Sequence, residues 1–201
     1  MIQGCGADKL EPRRAVLLHV LTRRYRHLDA FALAMQICRS FMNRQSLLSR
    51  FEILLPLAAK WTAGVEERIL REGVPLSEQG LLDARAVGVR EPERVRLLAL
   101  PSVPSPTDLT LKAAVAAIQF LTPATRGLAL RYGIFVRSDC WGERQLIAHE
   151  LVHTAQYERL GGIRPFLRQY LTECLTIGYP AGPMEQEAIA TVRRLDIGHL
   201  A

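Results

Sequence analysis

The chain has 201 residues, about half of them apolar (49%), which is enough for one sizeable core with at most a modest extension beside it. Its formal net charge is +6, but the basic residues are scattered and interleaved with acidic ones, which excludes the concentrated basic stripe of a nucleic-acid binder. No run of roughly 18 apolar residues is available to span a bilayer, and Met1 to Leu10 lacks the basic start and apolar stretch of a secretory signal, so a cytoplasmic protein is expected. Four widely spaced cysteines, Cys5, Cys38, Cys140 and Cys174, form no CxxC pair and read as reduced thiols.

In chain order, Pro12 opens a helix through Leu21, and Asp29 caps a second through Ile37. A third begins near Ser46, bends at Pro56 and continues through Trp61 towards Gly73. Residues 1–72 are therefore expected to form an N-terminal helical region. The Arg pairs at 13–14 and 23–24 read as exposed helix faces. From Gly73 to the end, residues 73–201, the elements shorten. Ser77 caps a helix through Ala84, and Arg94 to Leu100 is dense in Val and Leu and stops at Pro101, as a strand does. The Pro-rich stretch from Pro101 to Pro106 is a loop; a helix follows from Asp108 to Phe120, ended by Thr122-Pro123. Between Gly127 and Arg137, Leu128, Leu130, Tyr132, Ile134 and Val136 alternate with Ala129, Arg131, Gly133, Phe135 and Arg137. That period of two predicts a single half-buried strand.

The chemistry lies in the next segment, where His149, Glu150 and His153 interrupt an apolar helical stretch that should end at Gly161-Gly162. At about 100° per residue, His149 and His153 lie about 40° apart and one turn separated, so both imidazoles can reach one cation. Glu150, on the neighbouring arc, can take a proton from a water on that cation. Burying these three groups without a partner is costly, and a cation at their focus removes the cost.

A catalytic zinc normally has three protein ligands. No histidine stands at the short HExxHxxGxxH spacing, where Arg159 is found, so the third ligand must be a carboxylate downstream: Glu158, Glu173, Glu185 or Glu187. Glu158 lies on the far side of the same helix and Glu173 in a helix that looks like packing. The run from Pro183 to Ala188 starts a further helix that could cross the first and supply one glutamate.

The segment from His149 to Tyr157, preceded by Gly133 to Arg137 and followed by the Pro-x-Glu-x-Glu-Ala run, resembles the gluzincin-type HExxH zinc metallopeptidases of bacteria, a zincin-like family, over roughly residues 126–195. The resemblance implies an α+β, predominantly helical fold: a zincin-like core with a short antiparallel sheet and an active-site helix, beside the N-terminal helical region. It implies one zinc ion on His149, His153 and Glu185, with Glu187 as the alternative ligand; the separation from the second histidine, 185 − 153 = 32, fits. It also implies that Gly127 to Arg137 lines a cleft as an edge, where an extended peptide can add to the sheet. The chain departs from several such proteins in having Ile189 where an Asp follows the ligand glutamate by four, so a metal-bound histidine must be oriented by another group. For an oxyanion the candidates are Tyr157, Tyr170 and Tyr179, with Tyr157 first because it shares the metal-facing arc. The expected function is zinc-dependent hydrolysis of peptide or protein substrates with Glu150 as general base. The alternatives are a zincin-like binding module with little turnover, and a latent peptidase occluded by its N-terminal region.

Overall fold

The computed structural model describes residues 46–118 and 120–197. The helices expected within 12–37, the Arg pairs at 13–14 and 23–24, and Cys5 and Cys38 lie outside them.

After one helical turn at 46–49, α1 runs Phe51–Glu72 with Pro56 inside it and buries Leu55, Thr62, Glu66 and Ile69. A two-residue strand β1 (Val74–Pro75) leads to α2 (Glu78–Ala86), whose N-cap Ser77 accepts the Gly80 N–H at 3.1 Å, satisfying one of the donors that every helix start leaves free. Strand β2 is Arg96–Leu100, and α3 is Leu109–Ala117, capped by Asp108, which accepts from Leu111 N–H. Strands β3 (Gly127–Leu130) and β4 (Gly133–Arg137) precede three helices: α4 (Arg144–Leu160), α5 (Ile163–Thr176) and α6 (Pro183–Ile197). Helix α4 ends at Gly161 with a left-handed φ of 90°, as its Gly-Gly predicts.

Among the described residues helix predominates, and four strands form one mixed sheet in the order β1-β2-β4-β3, an α+β arrangement. Two expectations are corrected. The stretch 127–137 is not one strand but a hairpin: β3 pairs antiparallel with β4 through a turn at Arg131-Tyr132. Arg131 takes φ 62°, a conformation uncommon outside glycine, and is held by two hydrogen bonds from its guanidinium to Glu66 of α1, at 2.8 and 2.9 Å. The sheet is also not purely antiparallel, because β2 and β4 run parallel. The connection between β2 and β3 contains α3, long enough to carry the chain across and let the hairpin return beside β2.

As a result β4 is an interior strand, with Gly133 to Val136 buried, and among the described strands only β3 and β1 lie at the edges. Helix α1 packs on one side of the sheet, with its Ile69 against Leu130 and Phe135; α4 lies along β3 with Leu151, Ala155 and Tyr157 in the main core. No helix among the described residues is long and apolar enough to cross a membrane.

Candidate metal centre

Helix α4 is fixed at both ends before any chemistry is considered. Near its start Arg144 grips Asp83 of α2 through two hydrogen bonds of 2.8 and 2.7 Å. Near its end the Glu158 carboxylate accepts the backbone N–H groups of Arg90 and Glu91 and lies 3.1 Å from the Tyr132 hydroxyl. Glu158 is thus spent on the far side of the helix, as its position predicts. Glu173 is spent as well: it accepts the Met184 N–H at 2.8 Å, a carboxylate at a helix start where the free N–H groups favour negative charge. This holds the first turn of α6 in place.

That first turn brings Glu185 to the two histidines. His149 Nε2 and His153 Nε2 are 3.2 Å apart; Glu185 Oε2 lies 3.4 Å from the first and Oε1 3.2 Å from the second. The three residues form a group that could hold a metal ion. Glu185 and His153 are buried, 3% and 5% exposed, while His149 is only partly covered, so the solvent side of the group is at His149.

The hydrogen bonding of this group is incomplete. Tyr170 on α5 donates a short hydrogen bond to Glu185 Oε1. Glu185 Oε2 has no partner, the one such buried side-chain nitrogen or oxygen among the described residues. A buried carboxylate oxygen without a donor is costly, and a cation held between the Glu185 carboxylate and the two imidazoles would supply the partner. The donor set, two imidazoles and a carboxylate, suits a divalent cation. Although burial alone would raise its pKa, Glu185 is held well below the ordinary carboxylate range by the two histidines and Tyr170. For His153 burial opposes the charged form, but Glu185 and Glu150 prevail and push the imidazole up.

Glu150 occupies the side of α4 facing β3. It is buried, and that burial raises its pKa, with the backbone of Ala129 and the two histidines working the other way. A Cβ at Gly127 would stand 2.6 Å from Glu150 Oε1, so the missing side chain of that glycine is what makes room for the carboxylate. Arg126 and Arg137 are bonded across the start of the hairpin, so the register turns Gly127 and Ala129 outward to the free edge of β3. At Ala129 the edge is already used: its carbonyl accepts from the Tyr157 hydroxyl at 3.4 Å, and its backbone faces Glu150. Gly127 therefore offers the outward-facing backbone next to Glu150.

Among the candidate tyrosines, Tyr157 is buried, stacked on Phe166 with centroids 3.5 Å apart and bonded to Ala129, so ring and hydroxyl are both committed to packing. Tyr170 is committed to Glu185. Tyr179, in the connection between α5 and α6, is 67% exposed, and its phenol is pushed up to about 12 by desolvation of the hydroxyl and by the carboxylates of Glu185 and Glu150. Of the three candidates it is the exposed one.

The sequence reading passed over Gln156. This side chain is fully buried and lies 2.8 Å from His153 Nδ1; it also donates to the Met184 carbonyl and to Glu187. Glu187 receives Arg159 in a two-pronged pair. A wholly polar side chain on the buried arc of an apolar helix was the available signal. No family model matches the chain, and no curated protein and no solved structure matches it.

Proposed function

We propose that the chain is a zinc-dependent metallopeptidase of the gluzincin type, with zinc on His149, His153 and Glu185 and Glu150 as general base. The observation that carries the metal half is the Glu185 carboxylate set against two imidazoles, with Oε2, 3.4 Å from His149 Nε2, lacking a hydrogen-bond donor and Oε1 3.2 Å from His153 Nε2. Zinc is favoured by the donor set, two imidazoles and one carboxylate, whose ligand atoms lie within 4.8 Å of one another.

A zinc ion held by His149, His153 and Glu185 would supply an acidified water and a Lewis acid for a carbonyl oxygen. The protein's residues do the rest. Glu150, whose raised pKa suits a group that accepts and then returns a proton, takes one from the attacking water and passes it to the leaving amine as the peptide bond breaks. Gly127 presents outward-facing backbone to an extended peptide beside Glu150, and Tyr179, the exposed one of the three candidate tyrosines, is the candidate donor to the carbonyl oxygen. The test is Glu150→Gln assayed on an unbiased peptide library with zinc content measured in parallel. We expect stoichiometric zinc in both proteins and a loss of hydrolysis of about 10²–10⁴-fold in the variant. Unchanged cleavage in the variant removes Glu150 from the mechanism.

A metal-holding module with little turnover is the second reading. It is favoured by the enclosure of Glu150 and by the occupied edge at Ala129, which together leave a narrow approach for substrate. It predicts bound zinc and no cleavage of any library peptide by the wild-type chain.

A further inference from the structure

We propose that Gln156, Glu187 and Arg159 form a positioning relay that fixes the His153 imidazole with its proton on Nδ1 and its Nε2 lone pair turned to the metal position. The proposal rests on the metal reading above.

The Gln156 Nε2 atom is 2.9 Å from the Met184 carbonyl oxygen and 3.0 Å from Glu187 Oε2. Both of those oxygens accept only, so the amide must present its NH₂ to them. Turning the amide round would set its oxygen against two acceptors. Its carbonyl oxygen therefore faces His153 Nδ1, and at 2.8 Å the ring nitrogen must be the donor. One proton on Nδ1 leaves the Nε2 lone pair for a cation, the orientation that a metal-bound histidine takes from the partner of its other nitrogen.

Glu187 makes that orientation definite. It stands two residues after Glu185 on α6, about 200° round the helix, so it does not share the ion with Glu185. It lies beside Gln156 and Arg159, whose guanidinium holds both of its oxygens at 2.8 and 2.7 Å. His153, Gln156 and Arg159 follow at intervals of three on α4, one stripe facing α6. The relay runs from a half-exposed ion pair at the surface to the buried imidazole in three links. It answers the lack of an Asp at position 189: the orienting group is an amide on the metal helix itself, steadied by the glutamate that is the alternative ligand on sequence grounds.

The test is zinc affinity of the full chain, measured by competition with a chromophoric chelator, beside thermal unfolding of the metal-free proteins. Gln156→Leu is expected to weaken zinc about 10–100-fold, and Glu187→Ala about tenfold. Glu187→Gln keeps an acceptor oxygen for Gln156 and should recover most of the Glu187→Ala loss. In the Gln156→Leu background, Glu187→Ala should add nothing, because the relay acts only through the amide. Should Gln156→Leu not fold, the two surface substitutions at Glu187 decide the matter alone. Wild-type affinity in Glu187→Ala overturns the relay while leaving the metal reading intact. A loss as deep as that of Glu185→Ala, unrescued by Glu187→Gln, overturns it by making Glu187 a ligand. A wild-type chain that binds no zinc overturns both.

Discussion

Two glutamates are almost equally buried in this protein, Glu66 on α1 at 2% exposure and Glu185 on α6 at 3%, and they are treated in opposite ways. Glu66 is finished by the polypeptide: Arg131 gives it two hydrogen bonds and Tyr132 a backbone N–H. Glu185 is left with one oxygen unsatisfied, beside two imidazoles and a tyrosine hydroxyl. The same price of burial is met by a guanidinium in one place and left open in the other. Burial and charge alone thus do not mark a site; the missing donor does.

The sharpest way to break this comparison is to remove each carboxylate. Glu185→Gln should weaken zinc by more than the roughly 100-fold that losing an outer-shell partner costs, while urea unfolding of the metal-free chain changes little. Equal zinc affinity would remove Glu185 from the ligand set. Glu66→Ala should do the reverse, costing about 3 kcal/mol in urea unfolding, the lower end for a broken buried pair because Arg131 is partly exposed, with zinc affinity unchanged. A destabilisation as small as that of a surface substitution would mean that the hairpin turn does not depend on Glu66. Zinc at about 100 times its Kd should raise the unfolding free energy of the wild-type chain by about 2.7 kcal/mol and that of Glu185→Gln by at most about 0.4 kcal/mol at the same concentration.

A finer comparison lies within the site, between holding an ion and using it. Gly127→Ala puts a Cβ where the Glu150 carboxylate now rests, 2.6 Å from Oε1. The carboxylate end can move aside, so the fold should survive, but a general base displaced by about 1 Å loses up to about 100-fold in turnover. Zinc content should stay at the wild-type level. Tyr170→Phe removes one donor from Glu185 and should weaken zinc by about tenfold at most, the smallest of these effects. A larger loss would assign the Tyr170 hydroxyl a place nearer the ion than its bond to Glu185 indicates.

The sequence made the local parts of this arrangement legible. Ser77 and Asp108 cap helices, Gly161 ends one, and the histidines one turn apart share a face, because each rule concerns residues within about one turn of one another. Pro183 opens α6 as its ring allows at a helix start, which is how the Glu185 segment could be foreseen as helical. The hairpin was not legible. Its turn has neither Asn nor Gly, and Arg131 adopts its left-handed conformation against a glutamate 65 residues earlier, so an alternating pattern ran unbroken through both arms. The parallel pairing of β2 with β4 was hidden for the same reason, since it is decided by a crossover and not by either strand. Gln156 and Tyr170 were readable as polar groups on buried arcs, and His153 stands three residues from Gln156 on the same helix, but Met184 and Glu187, which orient the amide, and Glu185, which meets Tyr170, lie on α6.

Glu185 stands in the first turn of α6, the last helix described, and both histidines stand on α4. An ion shared among them would be a cross-link between two helices. Its occupancy would then be felt along α6 as slowed backbone exchange, so that a chemical event at His149 would become a mechanical constraint on a helix further along the chain.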